Sequence, residues 1–568
     1  MPRHNNSMQR TALRAAADAE RYAAITWLPE AELMRASKVA FLVFTTLILA
    51  VFLTVVQTLP PSPLPANAPA HEFSAERAIR HIRVIAQQPH PTGSTANEAV
   101  RNYILTELRG LGLETEVQRD GDLGNVIGRI RGTNSSDAVL LTAHLDSTLQ
   151  SPGAMDDGSG VATLLETARA LMSDAHMRNT VIFLFTDHEE GGLYGAKAFI
   201  AHHAWAKDVR IVIGFDAGGV NGPGVLSATS TSNGWLIRQM IRANPCIVGS
   251  SAINALANSS TDFGRAFKVA GFSGYAFDLY WDKRDGPEDN IENLSLSSIQ
   301  HQGCHALALA RHFGNLNQLA DPKEPDMVYF SVLRLFVIIY SSTWAILMAV
   351  AVTGIFVVVF AYGLRQRILS WRGIGYGMFV LLAGLVIASL PYMFLEYLVG
   401  FWLPGVTYDY DHRLLDQPPQ MSIIFLTTLA LIIIWYAQSR KIRETSLPDL
   451  TLGALVPIVV GMAVTSIALP ALSYGFTWPL LISLIASANW LYRYTHQKNS
   501  LTAILGLLLS GVTSIVIAGP AIVLGLFDQL LLALVSLGIL CGFLVPQIHL
   551  MLGYATVKRE QTQEPTAA

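Results

Sequence analysis

The hydrophobic and polar positions divide the chain into distinct stretches. Residues 1–38 are polar and mixed in charge. A charge-free apolar run then extends from Val39 to Leu59 (VAFLVFTTLILAVFLTVVQTL), long enough to cross a bilayer core. It is too long for a signal-peptide core and carries no small-residue cleavage signal, so it predicts an uncleaved signal anchor over 39–59. The prolines and alanines of 60–71 suit an extended linker. Between 72 and 315 the pattern changes. Short β-rich runs, AVLLTAHLD (138–146), TVIFLFTD (180–187) and IVIGFDA (211–217), alternate with helical patterns such as SGVATLLETARALMSD (159–174). Strands that alternate with helices predict an α/β domain, a mixed, mostly parallel sheet flanked by helices. After a connector at 316–340, seven apolar runs return at 342–362, 374–398, 421–438, 451–472, 476–492, 501–524 and 529–553. They predict an α-helical, seven-span membrane domain over 341–555, followed by a tail at 556–568.

Composition agrees with this division. Of 568 residues 51% are hydrophobic and 14% charged, against about 25% charged in soluble domains. The net charge of −3 is no footprint for nucleic acid, which is excluded as a partner. Cys246, Cys304 and Cys541 lie far apart with no CxxC, which argues against a disulfide framework or a thiolate zinc site. Basic clusters at Arg365, Arg367 and Arg372, at Arg440, Lys441 and Arg443, at Arg493 and Lys498, and at Lys558 and Arg559 recur in alternate loops. With eight spans they fall on the side of the basic N-terminal segment, which predicts cytoplasmic termini and an extracytoplasmic α/β domain (periplasm or organelle lumen).

The ends of the predicted strands carry the candidate chemistry. In LLTAHLDSTLQSPGAMDDGSG a strand ending near Leu141 delivers His144 and Asp146 to the carboxyl edge of the sheet, where α/β proteins bind ligands. Asp146 is placed to orient the imidazole. Gly153 and Ala154 form a tight turn before Asp156 and Asp157. An aspartate there can bridge metals or cap the following helix. In FLFTDHEEGG four ionisable residues, Asp187, His188, Glu189 and Glu190, end an apolar strand, an arrangement that is costly without a cation. Adjacent glutamates can divide ligation and proton transfer. Asp216 ends a third strand in IVIGFDAGG. His144, Asp156, Glu190 and Asp216 form a hard O/N ligand set that suits zinc or a similar divalent ion.

Together HLDS…GAMDDGSG, DHEEGGLYGA and GFDAGG resemble the co-catalytic two-zinc aminopeptidase family. The order of anchor, peptidase and multispan tail resembles its membrane-anchored branch, that of the endoplasmic-reticulum metallopeptidase and the vacuolar membrane protease. The resemblance implies that His144 ligates one zinc, Asp156 bridges two, Glu189 is the general base, and Glu190 and Asp216 ligate. The family completes its second ion with a late histidine, usually in a Tyr-His-Thr run. Here no histidine occurs between His203 and His301, and ungapped counting puts Asp285, in KRDGPEDN, at that position. The resemblance thus implies one or two zinc ions, a peptide substrate and a bilayer-bound metallo-exopeptidase. The alternative is a catalytically impaired peptidase fold serving binding or assembly, and a third reading is aminoacyl cyclisation by a one-zinc relative.

Blander readings suffice elsewhere. His301, His305 and His312 lie at helical spacing and read as packing or solvent-facing histidines. Glu396 and Asp528 near span ends read as snorkelling or capping groups. The polar loop at 408–412 carries no assigned chemistry.

Overall fold

The computed structural model describes residues 30–133, 137–173, 176–243, 247–256, 259–279, 286–321, 323–333, 335–402, 418–496, 501–525 and 530–551. Asp285, Asp528 and the 408–412 loop lie outside the described residues, as does the side chain of Glu396.

Helix α1 (Glu30–Thr58) contains the apolar run expected to be an anchor. It is followed by α2 (Ala75–Ile85), α3 (Thr95–Gly110), β1 (Glu114–Asp120), β2 (Leu123–Ile130), β3 (Ala138–His144), α4 (Gly158–Met172), β4 (Thr180–Thr186) and α5 (Tyr194–His202). Then come β5 (Val209–Ala217), β6 (Val225–Thr229), α6 (Gly234–Ala243), α7 (Ser251–Leu256), β7 (Ser273–Leu279) and α8 (Leu296–Gly314). The seven strands form one sheet in the order β1-β2-β4-β3-β5-β7-β6. The central β4, β3, β5 and β7 run parallel, and the outer strands run antiparallel. This is the mixed, mostly parallel sheet that the alternating pattern predicts.

Both faces of the sheet are buried, and the two-residue period of a strand sorts the side chains. Val181, Phe183 and Phe185 of β4 join Val139 and Leu141 of β3 under α2, α4 and α8. Ile182 and Leu184 join Leu140 and Val212 on the other face, covered by Phe199 of α5 and by Phe263 and Phe267. Such strands lack a polar face and read as continuous apolar runs. β3 extends to His144 rather than ending near Leu141, because its pairing with β4 continues to His144 opposite Thr186.

The 60–71 segment is strapped down along its length. Buried Glu166 accepts the Arg77 Nε–H at 2.7 Å and that of Arg169 at 2.7 Å. The freed guanidinium donors then hold the segment's carbonyls: Arg77 bonds Ala66 and Ala68, and Arg169 bonds Ala70. A charge-paired buried carboxylate thus turns an extended linker into a fixed connection between anchor and sheet.

The 316–340 connector contains a hairpin, β8 (Met327–Val332) and β9 (Phe336–Ser341), whose two faces serve different cores. Tyr329, with Val337 and Ile339, packs into the sheet's main core. Val328 and Phe330, with Ile338 and Tyr340, pack against Tyr474, Trp478 and Ile517 of the helical region. Phe330 stacks on Tyr474 at 4.6 Å between centroids, and Leu333 N–H donates to Gln57 Oε1 of the anchor at 2.7 Å.

The helical region comprises α9 (Ser342–Arg365), α10 (Trp371–Trp402), α11 (Pro418–Gln438), α12 (Arg440–Glu444), α13 (Leu447–Ala468), α14 (Tyr474–Thr495), α15 (Leu501–Gly525), α16 (Leu530–Phe543) and α17 (Val545–Met551). Among the described residues five helical stretches are long and apolar enough to cross a membrane: Lys38–Thr58, Ser342–Arg365, Trp371–Phe394, Leu447–Ala468 and Thr502–Pro520. Helices also occupy the other three expected spans. The last of these is divided into α16 and α17. α1 packs along α15, where Thr54 reaches the Ile515 carbonyl at 3.3 Å beside Gly519.

Candidate metal centre

Three parallel strands end side by side, and their ends build the site. His144 closes β3 and is 3% exposed. Its Nδ1 lies 2.9 Å from the Asp146 carbonyl. A carbonyl only accepts, so this nitrogen carries the proton, and Nε2 is the atom turned toward the acids. Nε2 stands 2.9 Å from Asp156 Oδ1 and 3.6 Å from Asp216 Oδ1. One ligand atom each from His144, Asp156 and Asp216 falls within 4.8 Å of the others, the one such group among the described residues.

The turn that delivers Asp156 depends on Gly153. Its φ of +65° lies in the left-handed region, and a Cβ there would meet Ser147 Cβ at 2.8 Å. Of the aspartate pair, Asp157 is the helix cap: Oδ1 accepts Gly160 N–H at 2.8 Å, and Oδ2 accepts the His144 N–H at 3.1 Å. Asp156 is thereby left to face the histidine. The capping reading of this turn holds for Asp157.

Asp146, 2% exposed, ties β3 to the loop after β4. Its carboxylate accepts the backbone N–H of Glu189 at 3.0 Å and of Glu190 at 3.3 Å. His188, at φ +61°, turns the chain there. Glu189 lies half-buried beside the cluster, and Glu190 stands exposed at the rim, outside the three-atom group but acting on Asp156 through its charge. Asp187 has a different task. It is fully buried and accepts from Thr92, Asn97, Arg101 and the Gly124 N–H, which anchors α3 and β2 to the strand end. His301 and His305 pack in the interior of α8 and bond Gly224.

The electrostatics describe a site short of positive charge. Burial, with the charges of Glu190 and Asp216, raises Asp156 well above the carboxylate range. Burial, with Asp216, Asp262 and Asp156, pushes Glu189 up to about 10. Burial opposes a charged His144, yet Asp146, Asp156 and Asp216 outweigh it and hold that imidazole well above its ordinary value. An imidazole nitrogen and two carboxylates at this spacing repel unless a proton or a cation lies among them. The donor set of one nitrogen and several hard oxygens fits a divalent ion of the zinc type.

Two acids of the site have no legible signal in the sequence. Asp262, 6% exposed, bonds Thr186 Oγ1 at the end of β4, while its Oδ1 has no hydrogen-bond partner among the described residues. Burial and the charges of Asp216 and Asp146 push it up to about 7. In TDFGRAF it reads only as a residue after a helix cap. Asp289 holds the Asp156 turn from the loop after β7.

Comparison with known proteins shows what the α/β unit is similar to. Residues 125–310 match Peptidase family M28. The α/β unit is thus similar to that peptidase family, and among the described residues five helices are apolar enough to cross a membrane. The chain is 28% identical over 433 residues to the vacuolar membrane protease of Candida dubliniensis, covering 69% of this chain and 45% of that protein. It is 29% identical to endoplasmic reticulum metallopeptidase 1 of Homo sapiens, covering 48% of this chain and 34% of that protein. The chain therefore spans less than half the length of these relatives. Among solved structures, an aminopeptidase from Aneurinibacillus sp. strain AM-1 matches with a TM-score of 0.39 at 15% identity, covering 44% of this chain and 97% of that one.

Proposed function

We propose that this protein is a membrane-tethered metallo-exopeptidase of the aminopeptidase type, its peptidase domain at 72–315 and its membrane domain at 341–555. The observation that carries the reading is the convergence of His144 Nε2, Asp156 and Asp216 beside Glu189 at three adjacent strand ends. In this reading His144, Asp156, Glu190 and Asp216 hold the metal, and Asp146 orients His144 and the Glu189 loop. Zinc bound there would polarise the scissile carbonyl, and its charge would bring Glu189 down to where the carboxylate accepts a proton. Glu189 takes a proton from the attacking water as the C–O bond forms. It returns that proton to the leaving amine as the C–N bond breaks. The surplus of acids favours a substrate that brings a positive N-terminus.

The test is turnover of a short peptide amide against its N-acetylated twin by purified full-length protein. Acetylation removes one charge-assisted contact, worth about 1.5–3 kcal/mol, so the blocked peptide should turn over more than about tenfold more slowly. Equal turnover of the two would rule out N-terminal recognition.

The alternation of basic loops supports an extracytoplasmic peptidase domain with cytoplasmic termini. Reporter fusions after Ala70 and after Ala568 should read extracytoplasmic and cytoplasmic respectively. A cytoplasmic signal from the first would reverse the topology.

A further inference from the structure

Asp289 lies just past the single turn Gly286–Glu288 and is 2% exposed. One of its carboxylate oxygens accepts the Met155 N–H at 2.7 Å. The other accepts the Asp156 N–H at 3.2 Å and the Ser151 hydroxyl at 3.1 Å. Its own carbonyl accepts the Ala154 N–H at 3.3 Å. Ser151 Oγ in turn accepts the Gly153 N–H at 3.0 Å. The whole turn from Ser151 to Asp156 is therefore wound around one carboxylate. That carboxylate comes from a segment more than 130 residues further along the chain.

Other bonds hold the two ends of the turn, from Ser147 and Thr148 to Ser151 and from Gly158 to the Gly153 carbonyl, but the Met155 and Asp156 amides go to Asp289. The turn contains Pro152, Gly153 in the left-handed region and Ala154, with no regular ladder on either side before α4 begins. Asp156 must nonetheless hold its carboxylate 2.9 Å from His144 Nε2. Fixing the Met155 and Asp156 amides fixes the Cα from which that carboxylate projects. A ligand on a loosely held turn loses ordering entropy on each binding event, which lowers metal affinity.

We infer that Asp289 is a positioning residue of the metal centre: by clamping the Ser151–Asp156 turn it sets the placement of the Asp156 carboxylate, and through it the affinity for zinc. The inference rests on the reading of His144, Asp156 and Asp216 as ligands. Asp289 is not among the three residues, His144, Asp156 and Asp216, whose ligand atoms converge. It acts by joining the loop after β7 to the turn after β3, so that the two segments meet at one side of the site.

Asparagine at 289 has nearly the same shape but exchanges one acceptor for an NH₂ donor. That donor must face either the Met155 or the Asp156 N–H, and two donors cannot pair. The experiment is a zinc competition titration with a chromophoric chelator on purified full-length protein. Wild type, Asp289→Asn, Ser151→Ala and Asp156→Asn are compared, with turnover recorded as zinc is raised. Asp289→Asn should bind zinc about 10–100-fold more weakly, with turnover at saturating zinc largely restored. A change of general folding would instead lower turnover without moving the half-saturating zinc concentration. Ser151→Ala removes the hydroxyl that donates to Asp289 and accepts the Gly153 N–H, and it covers the case in which Asp289→Asn fails to fold. It should weaken zinc about 2–10-fold. Zinc affinity unchanged in Asp289→Asn, or in Ser151→Ala if the former does not fold, while Asp156→Asn abolishes binding, overturns the positioning role alone. Unchanged affinity in Asp156→Asn overturns the metal-centre reading and the inference with it.

Discussion

Replacing Glu189 with glutamine should lower peptide turnover by about 10²–10⁴-fold, the usual contribution of a general base, while bound zinc stays near the wild-type level. Glutamine keeps the shape and the backbone N–H that Asp146 accepts at 3.0 Å, so the loop geometry should survive. What is lost is the ability to take a proton. The neighbouring residue should behave differently. Glu190 sits at the rim and its charge acts on Asp156. Glu190→Gln should therefore reduce zinc content first, with turnover falling in proportion. Metal analysis and turnover on the two variants, purified alike, decide the matter. Equal loss of metal from both would mean that the two glutamates do not divide their duties as proposed.

The second large effect concerns Asp285. The family to which this sequence is similar uses a late histidine where ungapped counting puts this aspartate. A neutral imidazole adds a donor without charge. A carboxylate adds another negative charge to a centre whose Asp156 and Glu189 are already held above their ordinary range. Accumulated acid favours harder ions, such as manganese, or a singly filled site over two zinc ions. The protein should accordingly retain fewer than two tightly bound zinc ions per chain, and Asp285→His should raise that number together with aminopeptidase turnover. Elemental analysis reads both. Two full equivalents in the wild type would dismiss the weak-site proposal, and unchanged occupancy in the variant would mean that position 285 does not face the metals.

The candidate site was legible where its residues end apolar strands. His144, Glu189 and Asp216 stand at such ends, and four consecutive polar residues after TVIFLFT have few structural explanations. Even there, sequence left the division of labour open. Asp187 is a buried anchor for Arg101 and Asn97 rather than part of the reactive cluster. Only the turn geometry distinguishes the capping Asp157 from the Asp156 that faces His144. Asp262 and Asp289 were invisible because one is an ordinary acid at a helix start and the other an ordinary acid in a loop, and the importance of each lies in what distant segments bring to it. What holds the linker in place was unreadable for the same reason. Prolines and alanines say that a segment is extended. They say nothing of whether Arg77 and Arg169 will hold it down.

The local pattern of apolar and polar positions thus determined the long apolar helix at the start of the described residues, the buried parallel strands and the strand ends that carry ionisable groups. A span needs uninterrupted apolar residues, and a strand buried on both faces needs the same over a shorter length. Both conditions are written in consecutive residues. Tertiary structure alone decided which acids face one another, how the Asp156 turn is clamped from beyond β7, and how the β8–β9 hairpin serves two cores at once. Those outcomes depend on distances between residues far apart in the chain. Such distances follow from sheet order and packing, which no stretch of neighbouring residues encodes.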